Sequence, residues 1–307
     1  MTSLRLALLQ WRVGPGTGLA GWAARLDREV AEAARHDAEL LMMPEYAPLE
    51  LAAGAAPDLA RELADACGQA EAAVAAARDI AIRHKIWLLP GTLPFRAGAA
   101  IRNRAPLIAP DGRVAFQDKH VMTRFEAEEW GVSSGAPPCV FETPWGRIGI
   151  AICFDLEFPG LVRAQIEAGA WLILAPSCTD TLAGFNRVRI AAAARAMENQ
   201  CFVAIAPTVG EAPWCGALDA NRGHAAVFGP VDRGFPEDGV LAQGTPDIAQ
   251  WVYADLDPAP LEAVRRDGVV RNHASWPATP PPCPVVTPAD VARGVGGAAR
   301  TTRHGAE

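Results

Sequence analysis

The chain has 307 residues, 50% of them hydrophobic and 21% charged, with a formal net charge of −7 and a pI near 5.5. That is enough apolar sequence to bury a large core within one main domain. The acid excess, with no dense run of Lys or Arg, argues against a nucleic-acid or anionic-membrane surface and leaves a small molecule or a second copy of the chain as the expected partner.

In chain order, residues 4–10 read as an opening strand, 22–36 as a helix with apolar or alanine positions at helical spacing, and 39–43 as a second strand. Residues 59–84 carry alanine-rich helical periodicity, and 85–91 supply a short buried strand closed by turn residues. Pro110-Asp111-Gly112 is a turn between two strands, since alternation resumes on both sides. Between Lys119 and Pro138 the hydrophobic period disappears, as it does in functional loops. Beyond Cys153, a helix over 161–168, a strand over 171–175, a helix over 185–197 and a strand over 201–206 repeat the βαβ rhythm of a layered α/β fold. Strands over 225–228 and 248–256 and a short helix over 260–266 complete it. The composition then turns to Pro, Gly, Ala and Arg, so residues 1–274 read as the domain and 275–307 as an irregular tail or one packed on a neighbouring subunit.

Seven cysteines (67, 139, 153, 178, 201, 215 and 283) are odd in number and lack CxxC spacing, which suggests neither a zinc ribbon nor a complete disulfide framework. Reduced thiols in the cytoplasm fit better. Gln10 and Arg12 interrupt the N-terminal apolar run before a signal-peptide core forms, and no apolar run reaches membrane-spanning length.

Three polar residues each leave the carboxyl end of a predicted strand, where open α/β sheets bind ligands. Cys153 follows Gly149-Ile150-Ala151-Ile152, Glu45 follows Leu40-Leu41-Met42-Met43-Pro44, and Lys119 follows Val114-Ala115-Phe116-Gln117-Asp118. Their types suit acyl transfer: a thiolate at Cys153, favoured by a helix mouth near Pro159, attacks a carbonyl or nitrile carbon. Glu45 relays the thiol proton to the leaving nitrogen, and Lys119 with the Phe154 N–H holds the oxyanion. Taken singly, each residue reads as plainly structural: a small buried thiol, a loop acid, a strand-end lysine. Together they do not. Cys139 and Cys201 read as core, Cys178 as a residue able to face the pocket, His120 as a loop brace, and arginines 187, 189 and 195 as a charged helix face.

Met43-Pro44-Glu45-Tyr46, Asp118-Lys119-His120 and the run from Ile148 to Pro159 resemble the three signature segments of the nitrilase, or carbon–nitrogen hydrolase, superfamily. Arg195-Ala196-Met197-Glu198-Asn199 resembles its later motif, so the likeness runs from about residue 4 to about residue 266. The resemblance implies a four-layer αββα sandwich of two central mixed sheets flanked by helices, no metal or organic cofactor, and a homodimer or higher homo-oligomer paired through helices. It also implies a second glutamate in the loop after the lysine, for which Glu126, Glu128 and Glu129 compete. The spacing to Gly135 favours Glu128, with Glu129 next. Cys153-Phe154-Asp155 resembles the amidase-type branches more than the nitrilases, so the expected reaction is hydrolysis of a small linear amide, with Phe154, Tyr46 and Thr179 lining the acyl pocket. An acyltransferase, a nitrile hydrolase and a catalytically idle binding protein are the alternatives.

Overall fold

The structure, a computed structural model, describes residues 2–277 except 53, 55 and 56. The described residues up to Ala274 form one compact unit, the first of two. The expected tail falls almost wholly outside the described residues, and everything below concerns the first unit.

Strand β1 (Leu4–Arg12) leads through helix α1 (Gly18–Ala34) to β2 (Leu40–Met42), and α2 (Leu59–His84) leads to β3 (Trp87–Leu89). Three antiparallel strands follow, β4 (Leu93–Ala97), β5 (Ala100–Ile108) and β6 (Val114–Asp118), and then the hairpin of β7 (Val140–Thr143) and β8 (Gly146–Ile150). Helix α3 (Pro159–Glu167), β9 (Leu172–Ser177), α4 (Leu182–Asn199) and β10 (Phe202–Glu211) continue the alternation. The short strands β11 (Ala220–Asn221), β12 (Ala226–Phe228) and β13 (Val240–Gln243) precede β14 (Gln250–Leu256) and α5 (Pro258–Asp267).

Strand β1 explains how these parts join. Leu4, Leu6 and Leu8 enter one buried cluster while Ala7, Leu9 and Trp11 enter another, because successive strand residues face opposite sides. Such a strand is apolar on both faces and belongs in the middle of a sheet. It pairs in parallel with β2 (Leu6↔Leu40, Leu8↔Met42) and antiparallel with β14 (Leu4↔Leu256 through Gln10↔Gln250). Its last two residues, Trp11 and Arg12, pair with Thr208 and Val209 of β10. That junction links the strands in the order β4-β5-β3-β2-β1-β10-β9-β8-β7, a curled mixed α/β sheet.

The helices follow local signals. Asp58 caps α2 by accepting the Arg61 N–H at 3.0 Å, and Lys85 ends it in the left-handed conformation. Its buried stripe is Ala66, Ala70, Ala73, Ala77 and Ala81, spaced three and four apart, so the helix lies close on the sheet. Thr181 caps α4 in the same way, accepting from the Gly184 N–H at 3.1 Å. Among the described residues no helix is long and apolar enough to cross a membrane.

Candidate active site

Glu45 lies three residues beyond β2, Lys119 one beyond β6 and Cys153 three beyond β8, so strand ends bring together what 108 residues of sequence separate. All three are buried. Lys119 Nζ donates to Glu45 Oε1 at 2.8 Å and to Glu126 Oε2 at 2.6 Å. Cys153 Sγ donates to the Cys178 carbonyl at 3.5 Å and shares the cavity with the Glu45 carboxyl group. Tyr46 and Cys153 both hold left-handed backbone, with φ of 57° and 47°. That conformation is strained for residues with a Cβ, and it clusters at functional sites.

The acid next to Lys119 is Glu126, whereas the family-like spacing had pointed to Glu128. Phe125–Glu129 forms a single π-turn, and only Glu126 of its three acids is buried. Glu128 is solvent-exposed and pairs with Arg124 at 2.7 Å; Glu129 lies at the cavity rim. Glu126 accepts from Lys119, from the Tyr46 hydroxyl at 2.7 Å, from Asn103 Nδ2 at 3.2 Å, and from the Thr123 N–H and hydroxyl, each at 2.9 Å. A position counted along the chain cannot reveal which way a π-turn aims its side chains. The usable signal was Thr123, whose hydroxyl and N–H sit three residues before the acid in a capping-like arrangement.

Sequence reasoning did not single out Asn103, yet it is fully buried and donates to both carboxylates, to Glu45 Oε1 at 2.8 Å as well as to Glu126. It stands across the β5–β6 ladder from Lys119, whose N–H donates to the Asn103 carbonyl at 2.8 Å.

These contacts push the two carboxyl groups apart. Burial opposes ionisation of Glu126, but Lys119, Tyr46 and the Thr123 backbone outweigh it and hold the group below its ordinary value. Burial instead dominates at Glu45 and lifts it to about 7, against the pull of Lys119 and with a further push from Glu126. Burial disfavours the Lys119 ammonium, yet Glu126 and Glu45 more than compensate and raise its pKa well above the usual lysine range. Two acids with divided roles on one lysine are the pattern expected of a proton-transfer site. Cys153 departs from the sequence expectation: burial, then the Glu45 charge, push the thiol up, and Lys119 only partly opposes them. The helix mouth does not deliver a standing thiolate.

The acidic turn after Cys153 has its own task. Asp155 accepts the N–H groups of His120 (3.0 Å) and Val121 (2.7 Å), tying the cysteine turn to the loop that follows Lys119. His120 Nδ1 lies 3.1 Å from the Gly135 carbonyl, as a brace would. Gly135 itself packs so closely that a Cβ would stand 2.1 Å from that of Asp118.

Glu45, Lys119, Glu126 and Cys153 open onto a cavity of about 520 Å3, a size suited to a small molecule. Phe154, Tyr46 and Thr179 line it, as does Cys178. The Tyr46 hydroxyl is occupied by Glu126, and the Thr179 hydroxyl donates to the Arg222 carbonyl at 2.8 Å. Both therefore shape the wall through groups already engaged. Arg187 also reaches this cavity, while Arg195 is buried and pairs with Glu198 at 2.6 Å. Cys201 is core, but Cys139 is exposed. A second cavity, of about 440 Å3 between Arg12, Arg25, Glu50 and Trp214, holds none of these residues. Among the described residues no three His, Cys, Asp or Glu side chains are grouped to hold a metal.

A buried acid of α2 holds another part of the wall. Glu62 accepts the N–H groups of Gly216 (2.8 Å) and Ala217 (3.1 Å), both cavity-lining residues.

The family model described as Carbon-nitrogen hydrolase matches residues 5–266. The probable hydrolase YhcX of Bacillus subtilis is 36% identical over 194 residues, which are 63% of this chain and span only 38% of that protein's length. The omega-amidase NIT2 of Homo sapiens is 26% identical over 274 residues, covering 87% of this chain and 93% of that one. A crystal structure of an amidase from Nesterenkonia sp. has a TM-score of 0.69 at 26% identity, covering 85% of this chain and 93% of its own. A variant of the Nesterenkonia sp. AN1 amidase, also at TM-score 0.69 and 26% identity and covering 86% and 94%, carries the acetamide moiety of fluoroacetamide covalently at its active site cysteine.

Proposed function

The chain belongs to the carbon–nitrogen hydrolase family, and from that premise we propose that it hydrolyses a small linear amide through a thioester on Cys153, releasing ammonia or an amine. The observation that carries this reading is the single ammonium of Lys119 held between Glu45 and Glu126 in the cavity that also contains Cys153. The amidase relatives support an amide rather than a nitrile as substrate.

The reaction uses the divided acids. Glu45, as carboxylate, takes the Sγ proton while the sulfur attacks the carbonyl carbon, so the thiolate forms only as it reacts. The oxygen of the tetrahedral adduct gains negative charge, which the Lys119 ammonium and the Phe154 N–H stabilise. Glu45 returns the proton to the leaving nitrogen, the C–N bond breaks, and a thioester remains. Water then attacks the thioester with Glu45 taking its proton, and as the C–S bond breaks Glu45 gives that proton to Sγ, so that the carboxylic acid product departs and the thiol and the carboxylate are restored. Glu126 keeps Lys119 charged and in place throughout.

The same reading takes the layers as α1 and α2, two sheets, then α3 and α4, an αββα sandwich; the two faces of β1, each buried in its own cluster, support it. Exposed Ile190 and Met197, two turns apart on α4, support pairing of subunits through helices. The free cysteines among the described residues support a reducing cytoplasm. Light scattering on the purified protein checks the assembly.

Ammonia release from a panel of small amides and ω-amides tests the activity, with the acyl-enzyme sought by intact mass. Turnover that survives in Cys153→Ala overturns the reading. Adding amine acceptors during turnover separates hydrolysis from acyl transfer.

A further inference from the structure

Glu45 has two carboxyl oxygens, and they are not equivalent. Oε1 already accepts two hydrogen bonds, from Lys119 Nζ and from Asn103 Nδ2, each at 2.8 Å. The second Nδ2 hydrogen of Asn103 goes to Glu126 Oε1 at 3.2 Å. Turning the amide over would aim its carbonyl lone pairs at two carboxylates, so the chemistry fixes the orientation. Among the described residues the buried Asn103 Oδ1 has no hydrogen-bond partner; an acceptor left unmatched at the centre of a site calls for an explanation other than packing. The asparagine is also held rigidly, across the ladder from Lys119, with its carbonyl on the Lys119 N–H.

We propose that Asn103 is a positioning residue for the reaction: its amide ties Glu45 to Glu126 through their Oε1 atoms, favours the Glu45 carboxylate, and leaves Glu45 Oε2 as the atom that receives the thiol proton. A neutral donor suits this place. Two carboxylates beside one ammonium repel each other, and a second cation would remove the proton affinity that Glu45 needs, whereas an NH2 group bridges both acids without adding charge. Chemically, the proton passes from Sγ to Oε2 and later from Oε2 to the leaving nitrogen, while Oε1 stays fixed. This inference rests on Glu45 being the proton carrier.

The test is the pH profile of kcat/KM for the intact enzyme and its Asn103→Leu and Asn103→Ser variants, on whichever amide turns over fastest. Loss of a hydrogen bond to a charged acid is expected to move the acid limb up by about one unit in Asn103→Leu, roughly a tenfold loss well below the limb and far less on the plateau. Asn103→Ser, which keeps one donor, is expected to fall between and serves alone if the leucine variant does not fold. A limb that stays at the wild-type pH, with only KM or thermal stability changed, overturns the proposal and leaves Asn103 as packing. Glu45→Gln is the control that separates the two ideas: if turnover and the limb survive it, the proton-carrier reading fails and takes this proposal with it.

Discussion

The raised carboxyl of Glu45 must appear in stability as well as in rate, and Glu45→Gln isolates it. The group titrates at about 7 in the fold against an ordinary value of 4.5, a difference worth about 3 kcal/mol at about 1.4 kcal/mol per unit. Glu45 is 1% exposed, so solvent screening does not reduce this figure. Because the folded value is the higher one, the fold binds the proton more tightly than the unfolded chain does. The stabilisation is therefore complete below about pH 4.5 and is lost as the pH rises through about 7. Glutamine resembles the protonated acid and can still accept from Lys119 and Asn103, while Glu126 keeps Lys119 paired. Urea unfolding of both proteins between pH 5 and pH 8 should show the wild type losing roughly 2–3 kcal/mol relative to the variant, which gains in relative stability as it loses all turnover. The same slope with pH in both proteins would refute the reasoning. The wild-type rate should rise across the same interval, as Glu45 becomes able to take the thiol proton.

Glu126→Gln is expected to lower kcat by at least about 100-fold, whereas Glu128→Gln, on the surface, should change it less than about twofold; steady-state kinetics decides between the two acids. Lys119→Met leaves two carboxylates buried without their shared cation, and should cost about 3–5 kcal/mol at neutral pH by chemical denaturation as well as all activity. A bulky maleimide should modify exposed Cys139 well before Cys153, whose thiol is buried and held protonated; peptide mapping that finds Cys153 first would contradict this. Glu62→Ala strips the acceptor from two backbone N–H groups of the cavity wall, and is expected to cost about 2–4 kcal/mol and to raise KM more than it lowers kcat.

What the sequence disclosed depended on how directly a pattern maps to a direction in space. Strand periodicity is two, so an apolar run fixes where a strand ends, and Glu45, Lys119 and Cys153 were each legible as strand-end residues that converge. The span 59–84 was legible as a helix from its alanine spacing alone, and the structure adds the Asp58 cap at its start. Glu126 was one of three candidates in a segment without periodicity, and the π-turn that buries it has no sequence pattern of its own. Asn103 was hidden for another reason: its partners lie 58 and 23 residues away, and only cross-strand register with Lys119 brings it to them. The thiol pKa was misjudged because a helix mouth is a local feature, while burial and the Glu45 charge are supplied by the rest of the fold.

The left-handed backbone at Tyr46 and Cys153 bears on how this enzyme can be engineered. Each position stores about 1–3 kcal/mol that glycine would release. At Tyr46 the buried ring, its contact with Trp130 and its hydrogen bond to Glu126 outweigh that release. At Cys153 only a small thiol is lost, so a library screened for melting temperature alone would enrich glycine there, and its most heat-resistant members would be inert. Selection for durability has to be coupled to turnover from the first round, with positions 46 and 153 held fixed.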